Sequence, residues 1–136
     1  MDLVSRIRRA KRVYLVGNGG SYANASHIAN DLLSVGVKAY TLDPASLTAA
    51  ANDHGYAAAL ARWLRTVGEP GDMLIALSGS GESANILRAV NVATLIGMDA
   101  ALITWRLQPP MDMQASEEQQ LVLGHDWMRR LQRDAQ

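Results

Sequence analysis

The stretch Val16-Gly17-Asn18-Gly19-Gly20-Ser21, with branched apolar residues of Arg12–Val16 before it and the helical periodicity of Tyr22–Leu33 after it, decides how this chain is read. Glycines between a strand and a helix let the backbone approach a ligand closely. The N–H groups and positive dipole end of the helix start then favour a phosphate, although a tight turn uses glycine in the same way. A second stretch, Leu77-Ser78-Gly79-Ser80-Gly81-Glu82-Ser83, has the same setting. Its hydroxyls Ser78, Ser80 and Ser83 can donate to phosphate oxygens without any lysine or arginine. A solvated serine turn capping a helix at Glu82 or Ser83 has the same composition. Two such loops at the carboxyl ends of parallel strands, where open sheets bind their ligands, point to a phosphate site.

Outward from the loops, short apolar runs alternate with longer helical stretches, the pattern of a parallel sheet covered on both faces. The spacing predicts strands at Arg12–Val16, Val37–Leu42, Asp72–Leu77 and Ala100–Thr104, and helices at Tyr22–Leu33, Tyr56–Val67, Ser83–Ile96 and Ser116–Arg133. The fold class is therefore α/β: a three-layer αβα sandwich around a mainly parallel sheet of four to five strands. Gly36, Gly71 and Gly97 fall where a helix has ended and a strand is about to begin. Trp105–Ala115, with its paired prolines, reads as a loop or a poor edge strand.

With 136 residues, 49% of them hydrophobic, the chain fits one domain with a real core. Thirteen basic residues balance thirteen acidic ones, so no global field recruits nucleic acid or an anionic membrane, and an anion must be captured by local geometry. The lack of cysteine removes disulfides and thiolate chemistry. No stretch has the length of a signal peptide core or a membrane span, which gives the expectation of a soluble, cytoplasmic protein. No Gly-Lys pair occurs, and Tyr22 stands where a dinucleotide fingerprint wants its third glycine, so no nucleotide cofactor is expected.

Four blocks in order carry a resemblance: Gly17-Asn18-Gly19-Gly20-Ser21 with Ala25-Ser26-His27, Leu47-Thr48-Ala49 with Asn52-Asp53-His54-Gly55-Tyr56, Pro70-Gly71-Asp72, and Ser78-Gly79-Ser80-Gly81-Glu82-Ser83-Ala84-Asn85. They are similar to the SIS-domain phosphoheptose isomerases, which interconvert sedoheptulose 7-phosphate and D-glycero-D-manno-heptose 7-phosphate. The resemblance runs from about Arg12 to Thr104 and returns in the last helix, so residues 1–136 read as a single SIS domain with a flavodoxin-like sheet. It implies a phosphate held by Ser21, Ser78, Ser80 and Ser83 with the glycines Gly19, Gly20 and Gly79. It also implies sugar contacts at Asn18, Asn52, Asp53 and Glu117. By its residues alone, Asp53 reads as a turn or cap acid before Tyr56.

Aldose–ketose isomerisation needs a base beside a carbonyl, stabilisation of an enediolate and an acid to return the proton. The resemblance places that pair at Asp31 and His125, with aspartate where the family has glutamate. His27 and Asp31, four apart, share one helix face. In some family members the positions of His27, Asp31, Glu117 and His125 bind zinc, and glutamate replaces glutamine at Glu117. Glu118, seven from His125, faces it better than Glu117 does. The family's long N-terminal helix and its last strand are shortened here. A homo-oligomer, dimer or tetramer, is expected because matching proteins place their sites at subunit contacts. The alternative to an isomerase is a non-catalytic phosphosugar-binding or protein-binding SIS domain.

Overall fold

Three aspartates start three of the helices. Asp2 accepts a hydrogen bond from Ser5 N–H (2.9 Å) and opens α1 (Leu3–Arg9). Asp43 accepts from Ala45 N–H (2.9 Å), with Pro44 in the first turn, and opens α3 (Pro44–His54). Asp112 accepts from Ala115 N–H (2.7 Å) and opens α6 (Met113–Asp134). Each side chain satisfies one of the N–H groups that a helix start leaves without a partner. The computed structural model describes residues 1–104 and 112–136. The remaining elements are β1 (Val13–Val16), α2 (Gly20–Ser34), β2 (Ala39–Thr41), α4 (Tyr56–Val67), β3 (Met73–Leu77), α5 (Ala84–Ile96) and β4 (Asp99–Ile103).

Among the described residues the sheet has four strands, all parallel, in the order β2-β1-β3-β4. Alternation along each strand divides the core. Val13, Leu15, Met73, Ile75 and Leu77 pack with α1, α2 and α6, and Tyr14, Val16, Leu74 and Ala76 pack with α4 and α5. The chain leaves β1 for one edge and leaves β3 for the other, so the switch point lies between these two central strands. The two loops quoted above follow those strands, and their helices α2 and α5 cover opposite faces. A crevice at this place is where open α/β sheets take ligands.

The predicted strands and helices all form, with boundaries moved by up to three residues. Gly36, Gly71 and Gly97 have positive φ of 88°, 90° and 94°, as the helix-to-strand turns require. Two helices were not expected. α1 packs Val4 and Ile7 into the α2/α6 face, and α3 has no buried residue. α6 also starts earlier than predicted, because the Asp112 cap takes Met113–Ala115 out of the expected loop and into the helix. The rest of that loop, residues 105–111, lies outside the described residues.

Candidate active site

The first loop is built on glycines that cannot be anything larger. A Cβ at Gly17 would lie 2.6 Å from the Ser21 carbonyl carbon, and Gly19 holds a φ of 55°. α2 begins without a side-chain cap, and the carboxylate of Glu117 lies in the space that a Gly20 side chain would fill. A negative group there is favoured by the α2 dipole. Ser21 is buried, and its Oγ accepts from Gln120 Nε2 (2.9 Å). Asn24 Nδ2 donates to Gln120 Oε1 (2.9 Å) and to the Glu117 carbonyl (2.8 Å), so a polar seam ties the start of α2 to α6.

Asn18 is fixed from two sides. It exchanges amide hydrogen bonds with Asn85 of α5, donating at 2.9 Å and accepting at 2.7 Å, and Tyr56 OH donates to its Oδ1 at 2.6 Å. The first loop is thereby joined to the starts of both α4 and α5. Asn52 and Asp53, expected at the sugar, end α3 near this edge. Both are exposed, with Asn52 Nδ2 donating to Asp53 Oδ1 (3.2 Å). Asp53 is neither a turn residue nor a cap; it is in the last turn of α3 and lines a cleft of about 470 Å³ between α3 and α4.

The serine loop is held by its own hydroxyls. Ser78 Oγ accepts from Gly81 N–H and Ser80 Oγ from Glu82 N–H, both at 3.1 Å, and Gly81 turns the chain at φ 68°. Ser83 is the N-cap residue of α5, but its side chain makes no cap bond. α6 lies over this loop as well, since a Cβ at Gly79 would be 2.9 Å from Ser116 Oγ. The buried Ser116 hydroxyl has no hydrogen-bond partner among the described residues.

Further along the same pair of helices, three side chains converge. His27 Nε2 and His125 Nε2 are 3.1 Å apart, which requires one ring nitrogen to donate and the other to accept. Asp31 Oδ2 is 3.2 Å from His27 Nε2 and 3.4 Å from His125 Nε2. This oxygen is buried and has no hydrogen-bond partner among the described residues, while the imidazoles are 51% and 37% exposed. The group is closed by its carboxylate and open on its histidine side. These ligand atoms lie within 4.8 Å of one another and form the metal-competent group among the described residues. Glu117 sits instead on Gly20, and Glu118 is exposed.

Sequence reasoning left out of the site the residues that hold it in shape: Asn24, Gln120, Asn85, Tyr56 and Ser116. Buried amides at helix starts were the available signal for Asn24 and Asn85. Gln120 and Ser116 are found only once α6 is docked.

A family model described as SIS domain matches residues 2–104. A curated phosphoheptose isomerase of Thiobacillus denitrificans is 38% identical over 112 residues, covering 76% of this chain and 57% of its own. One of Burkholderia pseudomallei is 35% identical over 143 aligned residues, covering 90% of this chain and 73% of its own. The chain thus spans little more than half the length of the first of these relatives. A solved phosphoheptose isomerase from Neisseria gonorrhoeae superposes with a TM-score of 0.85 at 26% identity, over 95% of this chain and 80% of that one. By sequence over most of its length and by fold over nearly all of it, this chain belongs to the SIS-domain family of the phosphoheptose isomerases.

Proposed function

We propose that this chain is an aldose–ketose isomerase that converts a ketose phosphate, sedoheptulose 7-phosphate foremost, to the aldose phosphate through an enediolate. The observation that carries the reading is the buried, unpartnered Asp31 Oδ2 aimed between two imidazoles. A carboxylate so placed takes a proton from C1 of the ketose and returns it to C2. His125 moves the second proton from the C1 oxygen to the C2 oxygen, so atoms balance and no other reactant is needed. The phosphate belongs in the serine loop with Ser21, Ser78, Ser80 and Ser83 beside Gly19, Gly20 and Gly79. The sugar hydroxyls fall to Asn18, Asn52, Asp53 and Glu117.

Distance supports a long substrate. From Ser116, over the serine loop, to His125 is nine residues of α6, about 13 Å along its axis. An extended seven-carbon phosphate is on the order of 10 Å from phosphorus to its first carbon, and a five-carbon one is shorter by about 2.5 Å.

Two imidazole nitrogens and an orphaned carboxylate oxygen fit a divalent cation, zinc by the chemistry of the donors. His27, Asp31 and His125 would hold it, with Glu117 as a fourth ligand only after leaving Gly20. Such an ion supplies Lewis-acid polarisation of the substrate oxygens. We read residues 1–136 as one cytoplasmic SIS domain that works as a homo-oligomer, dimer or larger. The unburied α3 and exposed Tyr56, Leu95 and Val122 support subunit contacts. No helix among the described residues is long and apolar enough to cross a membrane.

The test is an isomerase assay on sedoheptulose 7-phosphate beside five- and six-carbon ketose phosphates. Turnover fastest on the heptose is expected. No turnover of any, in protein shown to be folded, moves the reading to a non-catalytic phosphosugar-binding domain.

A further inference from the structure

We propose that Gly124 is a positioning residue: it sets the separation of α2 and α6 at which an aspartate at position 31, and no longer acid, closes the carboxylate–imidazole group. The inference rests on the reading that Asp31 and His125 handle the protons.

Glycine in a helix interior weakens the helix relative to alanine, so its presence in the middle of α6 asks for a reason. The reason is contact. Gly124 is buried, and a Cβ there would lie 2.5 Å from Ile28 Cγ1 and 2.8 Å from Ile28 Cδ1. Ile28 is fully buried in the core beneath α2, and its branched side chain is stiff at χ1. It has little room to turn aside, so a side chain at 124 must push the helices apart. The contact is next to the chemistry in both chain segments, because Ile28 follows His27 and Gly124 precedes His125. Asp31, one helical turn beyond Ile28, reaches His27 at 3.2 Å and His125 at 3.4 Å. The His125 contact crosses from α2 to α6 and is lost with a further ångström of separation, whereas the His27 contact lies within α2 and is not changed by it. One more methylene in the acid would add about 1.5 Å of reach, too much at the present spacing and about what a wider spacing needs.

Crystal structures and kinetics of the parent, Gly124→Ala, Asp31→Glu and the double variant test this pairing. In Gly124→Ala we expect the His125 Nε2 to Asp31 Oδ2 distance to open from 3.4 Å to beyond about 4 Å. We expect kcat to fall about 100-fold with KM within about twofold. Adding Asp31→Glu should return a carboxylate oxygen to hydrogen-bond distance and recover about tenfold of kcat, whereas Asp31→Glu alone should lower kcat. If Gly124→Ala does not fold, Gly124→Ala with Ile28→Ala removes the clash and should keep the parent distances. The proposal is overturned if Gly124→Ala leaves the distance and kcat unchanged, if Asp31→Glu is equally damaging in both backgrounds, or if the Ile28→Ala relief variant loses the parent spacing. A parent without turnover would sink the isomerase reading, while the structures would still decide whether Gly124 sets the spacing.

Discussion

The two faces of the sheet are built to different ends. Beneath α4 and α5 the buried side chains are Leu60, Ala61, Leu64, Ile86, Ala89, Val92 and Ala93, an apolar layer whose buried polar residue on those helices is Asn85 at the loop end. Beneath α2 and α6 the apolar layer covers only the far half. Ser21, Asn24, Ser116 and Gln120 are buried toward the loops, and the carboxylate–imidazole group opens to solvent beside them. Apolar packing contributes roughly in proportion to the area buried, whereas buried polar groups cost stability unless each finds a partner. The α4/α5 face is therefore almost wholly apolar, whereas the α2/α6 face combines its own apolar core with the buried polar groups of the site.

Substitutions should separate these roles. The largest effect is expected for His125→Ala, which should lower kcat about 10²–10⁴-fold with the protein still folded, checked by steady-state kinetics beside circular dichroism. On the opposite face, Leu64→Ala should cost about 2–5 kcal/mol in urea unfolding and leave kcat per folded molecule unchanged. If Leu64→Ala damages kcat instead, the division between the faces fails. Gln120→Leu tests the seam between them. It strips the partner from Ser21 Oγ and one partner from Asn24, so a loss of about 1–3 kcal/mol is expected together with a raised KM for phosphosugar.

The smallest effect is electrostatic and lies away from the site. Arg6 donates two hydrogen bonds to Asp99, at 2.7 Å and 2.8 Å, tying α1 to β4. Those bonds lower the Asp99 pKa below its ordinary 3.8. A carboxylate lowered on folding contributes stability above its unfolded pKa and loses it as pH falls through the folded one. Asp99→Asn should thus cost under about 1 kcal/mol at neutral pH, screened by salt, and the gap to the parent should close in acid below 3.8. A gap that persists in strong acid would mean that packing, and not the ion pair, joins α1 to β4.

Much of this arrangement is legible in the residues. Branched runs give the strands, and the glycine and serine loops mark the two sides of the switch point. His27 and Asp31 share a face by their spacing alone. Other parts are not legible, for physical reasons. α3 is rich in alanine and only half-buries Leu47, Ala50 and Ala51, so its amphipathic period is too weak to announce it, although Asp43-Pro44 is a helix start. α1 has seven residues, too few for a period to stand out. The contacts of Glu117 with Gly20, Gln120 with Ser21 and Gly124 with Ile28 join residues about a hundred positions apart. They depend on how α6 docks, which no local pattern fixes.

The most direct test of the central claim is isomerisation of sedoheptulose 7-phosphate in D₂O, with the product's C2 examined by NMR. The Asp31 oxygen that takes up the C1 proton is buried, but it lies 3.2 Å and 3.4 Å from imidazoles that are 51% and 37% exposed, so that proton exchanges with solvent through them before it is returned to C2. The account predicts deuterium at C2 of the aldose phosphate, formed by the parent and lost with His125→Ala. Product that carries no deuterium at C2, or that His125→Ala forms as fast as the parent, would contradict it.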